Sequence, residues 1–84
     1  MSEVTVYTSN YCPYCERAKA LLKQRGVPYR EIRVSDDDDA EWARLYRISG
    51  MRTMPQIFVG DKLVGGYNEL AAQDRQDQLT SLKK

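Results

Sequence analysis

Alternation, helical spacing and alternation again follow one another within the first 34 residues, and that succession leaves few folds open. Val4 and Val6 alternate with polar neighbours, so the stretch from Glu3 to Thr8 reads as a strand with one buried face. From Pro13 to Arg25 the residues are good helix formers, with Cys15, Ala18, Leu21 and Leu22 along one side and Gly26 placed as a stop. Pro28 forbids continuation, and Tyr29 to Val34 returns to alternation with Ile32 and Val34 pointing one way. Strand, helix and strand in that order form the parallel unit with a right-handed crossover.

The second half continues the pattern with different punctuation. Ser35 and the acidic run Asp36 to Asp39 precede a segment in which Trp42, Leu45 and Tyr46 share a face, so the acids fall where a helix dipole favours negative charge. That helix is expected to end near Ser49-Gly50, and the calcium-loop pattern of glycine and late glutamate is absent from the acidic run. Gln56 to Val59, the pair Gly60-Asp61 and Lys62 to Val64 read as a hairpin, which Gly65-Gly66 closes. A last helix starts around Tyr67 or Asn68 with Leu70 and Ala71 inward, and Leu79 and Leu82 suit one more docked turn.

Size and charge restrict what such a chain can do. Eighty-four residues make one domain, residues 1–84, near the lower limit for a self-sufficient core. Thirteen basic and 12 acidic residues nearly cancel, which argues against an electrostatic grip on nucleic acid. No apolar run approaches the length of a membrane-spanning helix, and Met1-Ser2-Glu3-Val4 lacks the features of a secretory signal. A cytoplasmic protein that binds no membrane is the expectation.

The chemistry centres on Cys12-Pro13-Tyr14-Cys15. Two cysteines this close enclose too small a loop to staple a fold. There is no histidine, which removes the usual general base and the usual companion ligand for zinc; one cysteine pair cannot supply the roughly four ligands such a site needs. Buried cysteines can be mere small hydrophobes, but a proline at the first helical position is not explained that way. Pro13 at that position makes Cys12 the capping residue, its sulfur facing the amides of Tyr14 and Cys15 at the positive end of the helix, where the thiolate is favoured. Cys15, one turn along and more enclosed, is placed to resolve a mixed disulfide formed on Cys12. A C-x-x-C beside a parallel strand unit reads as a thioredoxin-like redox site.

Three separated motifs resemble the dithiol glutaredoxins over nearly the whole chain: Tyr11-Cys12-Pro13-Tyr14-Cys15, Arg52-Thr53-Met54-Pro55-Gln56-Ile57-Phe58 and Gly65-Gly66-Tyr67-Asn68-Glu69-Leu70. The resemblance implies a thioredoxin-like α/β fold, a four-stranded mixed sheet with three main helices in the order βαβαββα. It implies catalysis by Cys12 and Cys15, glutathione as cosubstrate with no bound cofactor or metal, and disulfide-containing or glutathionylated proteins as partners of a monomer. Pro55 looks like the family's cis-proline, exposing the backbone of Met54 to pair with glutathione's cysteinyl backbone, with Arg52 and Thr53 flanking the contact. Gly66, Tyr67 and Asn68 resemble the turn whose amides receive the glutamyl carboxylate, and Tyr14 would line the same groove.

Two departures bear on substrate binding. Many members carry a lysine before the first cysteine, where this chain has Thr8-Ser9-Asn10-Tyr11, and Arg47 or Arg52 is the available replacement. Members commonly have aspartates after Gly-Gly, where this chain has Tyr67-Asn68-Glu69. These departures leave open a redoxin reduced directly by a thioredoxin reductase, although the Trp-Ser-Gly signature of such proteins is missing. A glutathione-assisted iron-sulfur module is the other alternative, against which Pro13 and the second cysteine argue.

Overall fold

A computed structural model of the chain describes residues 3–82. The reading of Met1 and Ser2 as lacking a signal segment falls outside them. The elements are β1 (Val4–Thr8), α1 (Pro13–Gln24), β2 (Tyr29–Arg33), α2 (Asp39–Ser49), β3 (Gln56–Val59), β4 (Lys62–Gly65) and α3 (Tyr67–Asp77), followed by a 3-10 turn at Thr80–Leu82. The strands form one sheet in the order β2-β1-β3-β4, with β1 and β2 parallel and the other neighbours antiparallel. This is the mixed sheet and the βαβαββα order expected of a thioredoxin-like fold.

The central strands β1 and β3 serve two cores because their side chains alternate between faces. On one face Val4, Val6 and Ile57 join Ala18 and Leu22 of α1, Leu70 of α3 and the tail residues Leu79 and Leu82. On the other, Val34, Leu45 and Phe58 meet Tyr7, Trp42 and Met54. Val6 sits opposite Ile57 in the β1–β3 register, while the rings of Tyr7 and Phe58 meet edge-on at 5.6 Å across the same strand pair. The sheet is thus covered by α1 and α3 on one side and by α2 on the other.

Helix ends follow the local chemistry. Cys12 caps α1 with Pro13 inside its first turn, and Gly26 follows the helix at φ +71°. Asp38 caps α2, its Oδ1 accepting from the Glu41 amide at 3.2 Å, which accounts for the acidic run as a helix start. Gly50, at φ +72°, closes α2 by donating to the Tyr46 carbonyl. Arg25 and Asp74 join in a two-pronged ion pair at 2.6 and 3.2 Å, tying the end of α1 to α3.

The differences from the sequence reading are small and have physical causes. β1 begins at Val4; Glu3 is exposed, though its carbonyl accepts from the Gly60 amide at 2.8 Å. β2 stops at Arg33, yet Val34 is buried and its amide donates to the Thr8 carbonyl at 2.8 Å. Tyr46 does not share the buried stripe of α2: Leu45 faces the sheet, and the next residue, about 100° further round, turns to solvent. Leu21 and Ala71 are likewise half-buried beside fully buried Leu22 and Leu70.

Candidate active site

The reacting group is built by the turn between β1 and α1. Tyr11 occupies the left-handed region at φ +54° with its side chain fully exposed, and this sharp turn delivers Cys12 to the helix start. Cys12 is half-buried while Cys15 is 1% exposed, so the first sulfur faces outward and the second faces the core. The two are bonded as a disulfide with their Cα atoms 5.2 Å apart, within the span that such a bond tolerates. Of the two amides expected to face the Cys12 sulfur, that of Cys15 donates to it at 3.1 Å. Among the described residues no such bond comes from Tyr14.

A second element meets the sulfur from across the sheet. Met54 and Pro55, joined by a cis peptide bond, lead into β3, and the Met54 carbonyl oxygen lies 3.6 Å from Cys12 Sγ. Residues 42 positions apart in sequence are thereby brought to one point. A cleft of about 530 Å³ opens beside it, lined by Tyr14, Met51, Thr53, Met54, Pro55, Gly66, Tyr67, Asn68 and Glu69. That volume lies in the range of small-molecule sites, about 300–1,000 Å³. The Tyr14 and Tyr67 rings approach to 6.0 Å, and the Arg17 guanidinium sits 5.3 Å over the Tyr14 ring at the rim.

The far wall of the cleft is the start of α3. Its first amides have no carbonyl partner within the helix. Glu69 reaches back so that its Oε1 accepts from the Gly66 amide at 2.7 Å, while among the described residues no acceptor meets the amides of Tyr67 and Asn68. Tyr67 and Asn68 line the cleft at the start of α3, where the helix dipole favours an anion.

Every site residue named from the sequence lines this cleft or carries the disulfide, except Arg52 and Arg47, the latter in the last turn of α2 and outside the cleft lining. The Arg52 guanidinium lies 4.5 Å over the Tyr46 ring, outside the cleft lining. Met51 and Glu69 line it without having been named as ligand contacts. Glu69 was legible in part, since a glutamate three residues after a helix cap is the capping-box signal.

Behind the nucleophile, charges are fixed by pairing. Glu31 of β2 accepts from Thr8 Oγ1 at 2.9 Å and from Lys19 Nζ at 3.1 Å, with Arg33 at 3.7 Å. Burial pushes the Glu31 carboxyl up, but these hydrogen bonds and charges outweigh it and hold the group below the ordinary carboxylate value. Hydrogen bonding to Glu16 raises the Lys19 ammonium against a lowering by burial, and Glu31 adds to the rise. Among the described residues no cluster of three or more His, Cys, Asp or Glu is placed to hold a metal ion, and no helix is long and apolar enough to cross a membrane.

Comparison with known proteins agrees with this geometry. The family model for glutaredoxin matches residues 4–64. Glutaredoxin 3 of Escherichia coli is 40% identical over 84 residues, covering the whole of both chains. Among solved structures, a buckwheat glutaredoxin–glutathione complex superposes with a TM-score of 0.87 at 33% identity, over 98% of this chain and 76% of that one. The solution structure of a Brucella melitensis glutaredoxin gives 0.84 at 42% identity, over 99% and 90%. With a redox-active cysteine pair at a helix start and relatives alike along its full length, the chain belongs to the glutaredoxin family of thiol-disulfide oxidoreductases.

Proposed function

We propose that the cleft beside Cys12 binds glutathione through Tyr14, Thr53, Met54, Pro55, Gly66, Tyr67 and Asn68, and that the protein reduces glutathionylated and disulfide-bonded proteins in a reducing compartment, the cytosol. The observation that carries the reading is the Met54 carbonyl oxygen, in the loop before β3 that lines the cleft, 3.6 Å from the reacting sulfur. A peptide laid along this loop in antiparallel fashion brings its own cysteine to Cys12. The free amides of Tyr67 and Asn68 suit the glutamyl carboxylate at the other end. The glutathione bound to the similar buckwheat protein supports the same assignment. Arg52 serves the ligand's second carboxylate only by leaving its stack on Tyr46.

The chemistry follows from the positions of the sulfurs. The Cys12 thiolate attacks the glutathione sulfur of a mixed disulfide, and the target protein's sulfur leaves as a thiolate that takes a proton. A second glutathione thiolate then attacks the glutathione sulfur on Cys12, releasing oxidised glutathione and restoring the Cys12 thiolate. With a protein disulfide, the Cys12 thiolate first attacks one target sulfur and releases the other as a thiolate. The Cys15 thiolate then attacks the Cys12 sulfur of that mixed disulfide, breaking its bond to the target, which leaves as the reduced dithiol, and closing the Cys12–Cys15 bond, which two glutathiones reopen with release of oxidised glutathione.

The test is turnover of a glutathionylated peptide with glutathione as reductant. Cys12→Ser should abolish it, whereas Cys15→Ser should retain deglutathionylation and lose reduction of protein disulfides. Activity of the Cys12→Ser protein equal to the parent's would remove the assignment. Rapid reduction by a thioredoxin reductase, with none by glutathione, would transfer the protein to the other electron donor.

A further inference from the structure

Gln56, the first residue of β3, is completely buried. Both hydrogens of its side-chain amide are used on the preceding loop: Nε2 donates to the Met51 carbonyl at 3.2 Å and to the Thr53 carbonyl at 3.2 Å. Its Oε1 is buried without a donor. An apolar side chain of similar volume would avoid that unpaired acceptor, so the residue is not what packing alone calls for. Departures of this kind are expected where a site must be held.

Residues 50–55 contribute to no strand or helix, so few bonds fix them. Besides the two from Gln56, the Met51 amide donates to Ser49 Oγ at 3.0 Å. The carbonyls of Met51 and Thr53 therefore point inward, to Gln56, while that of Met54 points to Cys12. Holding two carbonyls from the buried side leaves the next peptide facing the cleft.

We propose that Gln56 is a positioning residue for thiol-disulfide exchange: its amide fixes the 51–53 loop so that the Met54 backbone is presented, beside Cys12, to the backbone of a glutathione mixed disulfide. The inference rests on the cleft being the glutathione site.

Two variants test it. Gln56→Met keeps the volume and removes both donors; Gln56→Glu loses them at neutral pH and regains one when protonated. Steady-state kinetics on a glutathionylated peptide should show KM raised roughly tenfold in Gln56→Met, the size of about one net hydrogen bond, with kcat within about twofold of the parent. Alkylation of reduced Cys12 by iodoacetamide should keep its parent rate, because α1 is untouched. In Gln56→Glu the KM defect should shrink, relative to the parent at each pH, as the solution is acidified.

Tyr67→Ala is the control for the cleft itself. If it raises KM while a folded Gln56→Met does not, the Gln56 inference is wrong and the cleft reading stands. If neither raises KM, the cleft reading falls and takes the inference with it. A Gln56→Met protein whose kcat and Cys12 alkylation fall together, or variants that both fail to fold, would make Gln56 a structural residue and overturn the proposal.

Discussion

Replacing Gly65 with alanine perturbs the joint between β4 and α3 on which the cleft's far wall depends. Gly65 is buried at φ +130°, a region that side chains other than hydrogen rarely enter. A methyl group there would lie 2.6 Å from Glu69 Cγ, 2.7 Å from its Cβ and 2.9 Å from its Oε1. The first two atoms are the stem of the side chain, so no rotation of its tip relieves the clash. Either the first turn of α3 shifts, or Glu69 swings away and gives up its 2.7 Å bond to the Gly66 amide. The backbone conformation costs about 1–3 kcal/mol, and the lost hydrogen bond roughly 1 more. A total of about 3 kcal/mol lowers Tm by roughly 12–24 °C for a domain of this size. Thermal unfolding of the oxidised protein by circular dichroism measures it, and KM for a glutathionylated peptide should rise in the same variant. A Tm within about 3 °C of the parent would refute the steric reasoning.

Gly50→Ala supplies the contrast, since its φ is +72° but nothing lies within 4 Å of the added carbon; only the conformational cost of about 1 kcal/mol remains, a loss of roughly 4–8 °C with KM unchanged. If both glycine variants melt alike, the contact with Glu69 contributes nothing. The Glu31 carboxyl sits below its ordinary value of 4.5 in the folded protein, so its pairing stabilises fully above that pH and fades as pH falls through the folded value. The Tm gap between the parent and Glu31→Gln should accordingly be widest near neutrality and narrow below pH 4.5, and a gap that stays constant into acid would show the pairing to be energetically idle.

Much of the fold lies in local pattern. The alternation at Val4 and Val6 matches the face buried against α1, and the stops at Gly26 and Gly50 both adopt the left-handed conformation that glycine favours. Cys12 at the cap and Cys15 in the core follow from Pro13 and the helical period alone. The family motifs point to the cleft residues, although they lie far apart in sequence. Less legible are features decided by what happens to be opposite. Tyr46 has an apolar ring at a helical spacing that fits burial, yet the sheet's far face is covered once Trp42 and Leu45 are in place, and the ring instead supports Arg52. Gln56 reads as a polar residue opening a strand, and only the return of residues 51–53 over it reveals a buried amide. The charge cluster of Lys19, Glu31 and Arg33 needs α1 and β2 side by side before it exists.

Competition between the two thiols for iodoacetamide bears most directly on the redox site. The reduced protein is pulsed with the reagent at pH 7 and digested, and the label on each cysteine is read by mass spectrometry beside free cysteine as reference. Cys12 should take the label well ahead of the reference, with Cys15 lagging behind it. Equal labelling of the two, or a first thiol no faster than free cysteine, would contradict an exposed thiolate held at the start of α1.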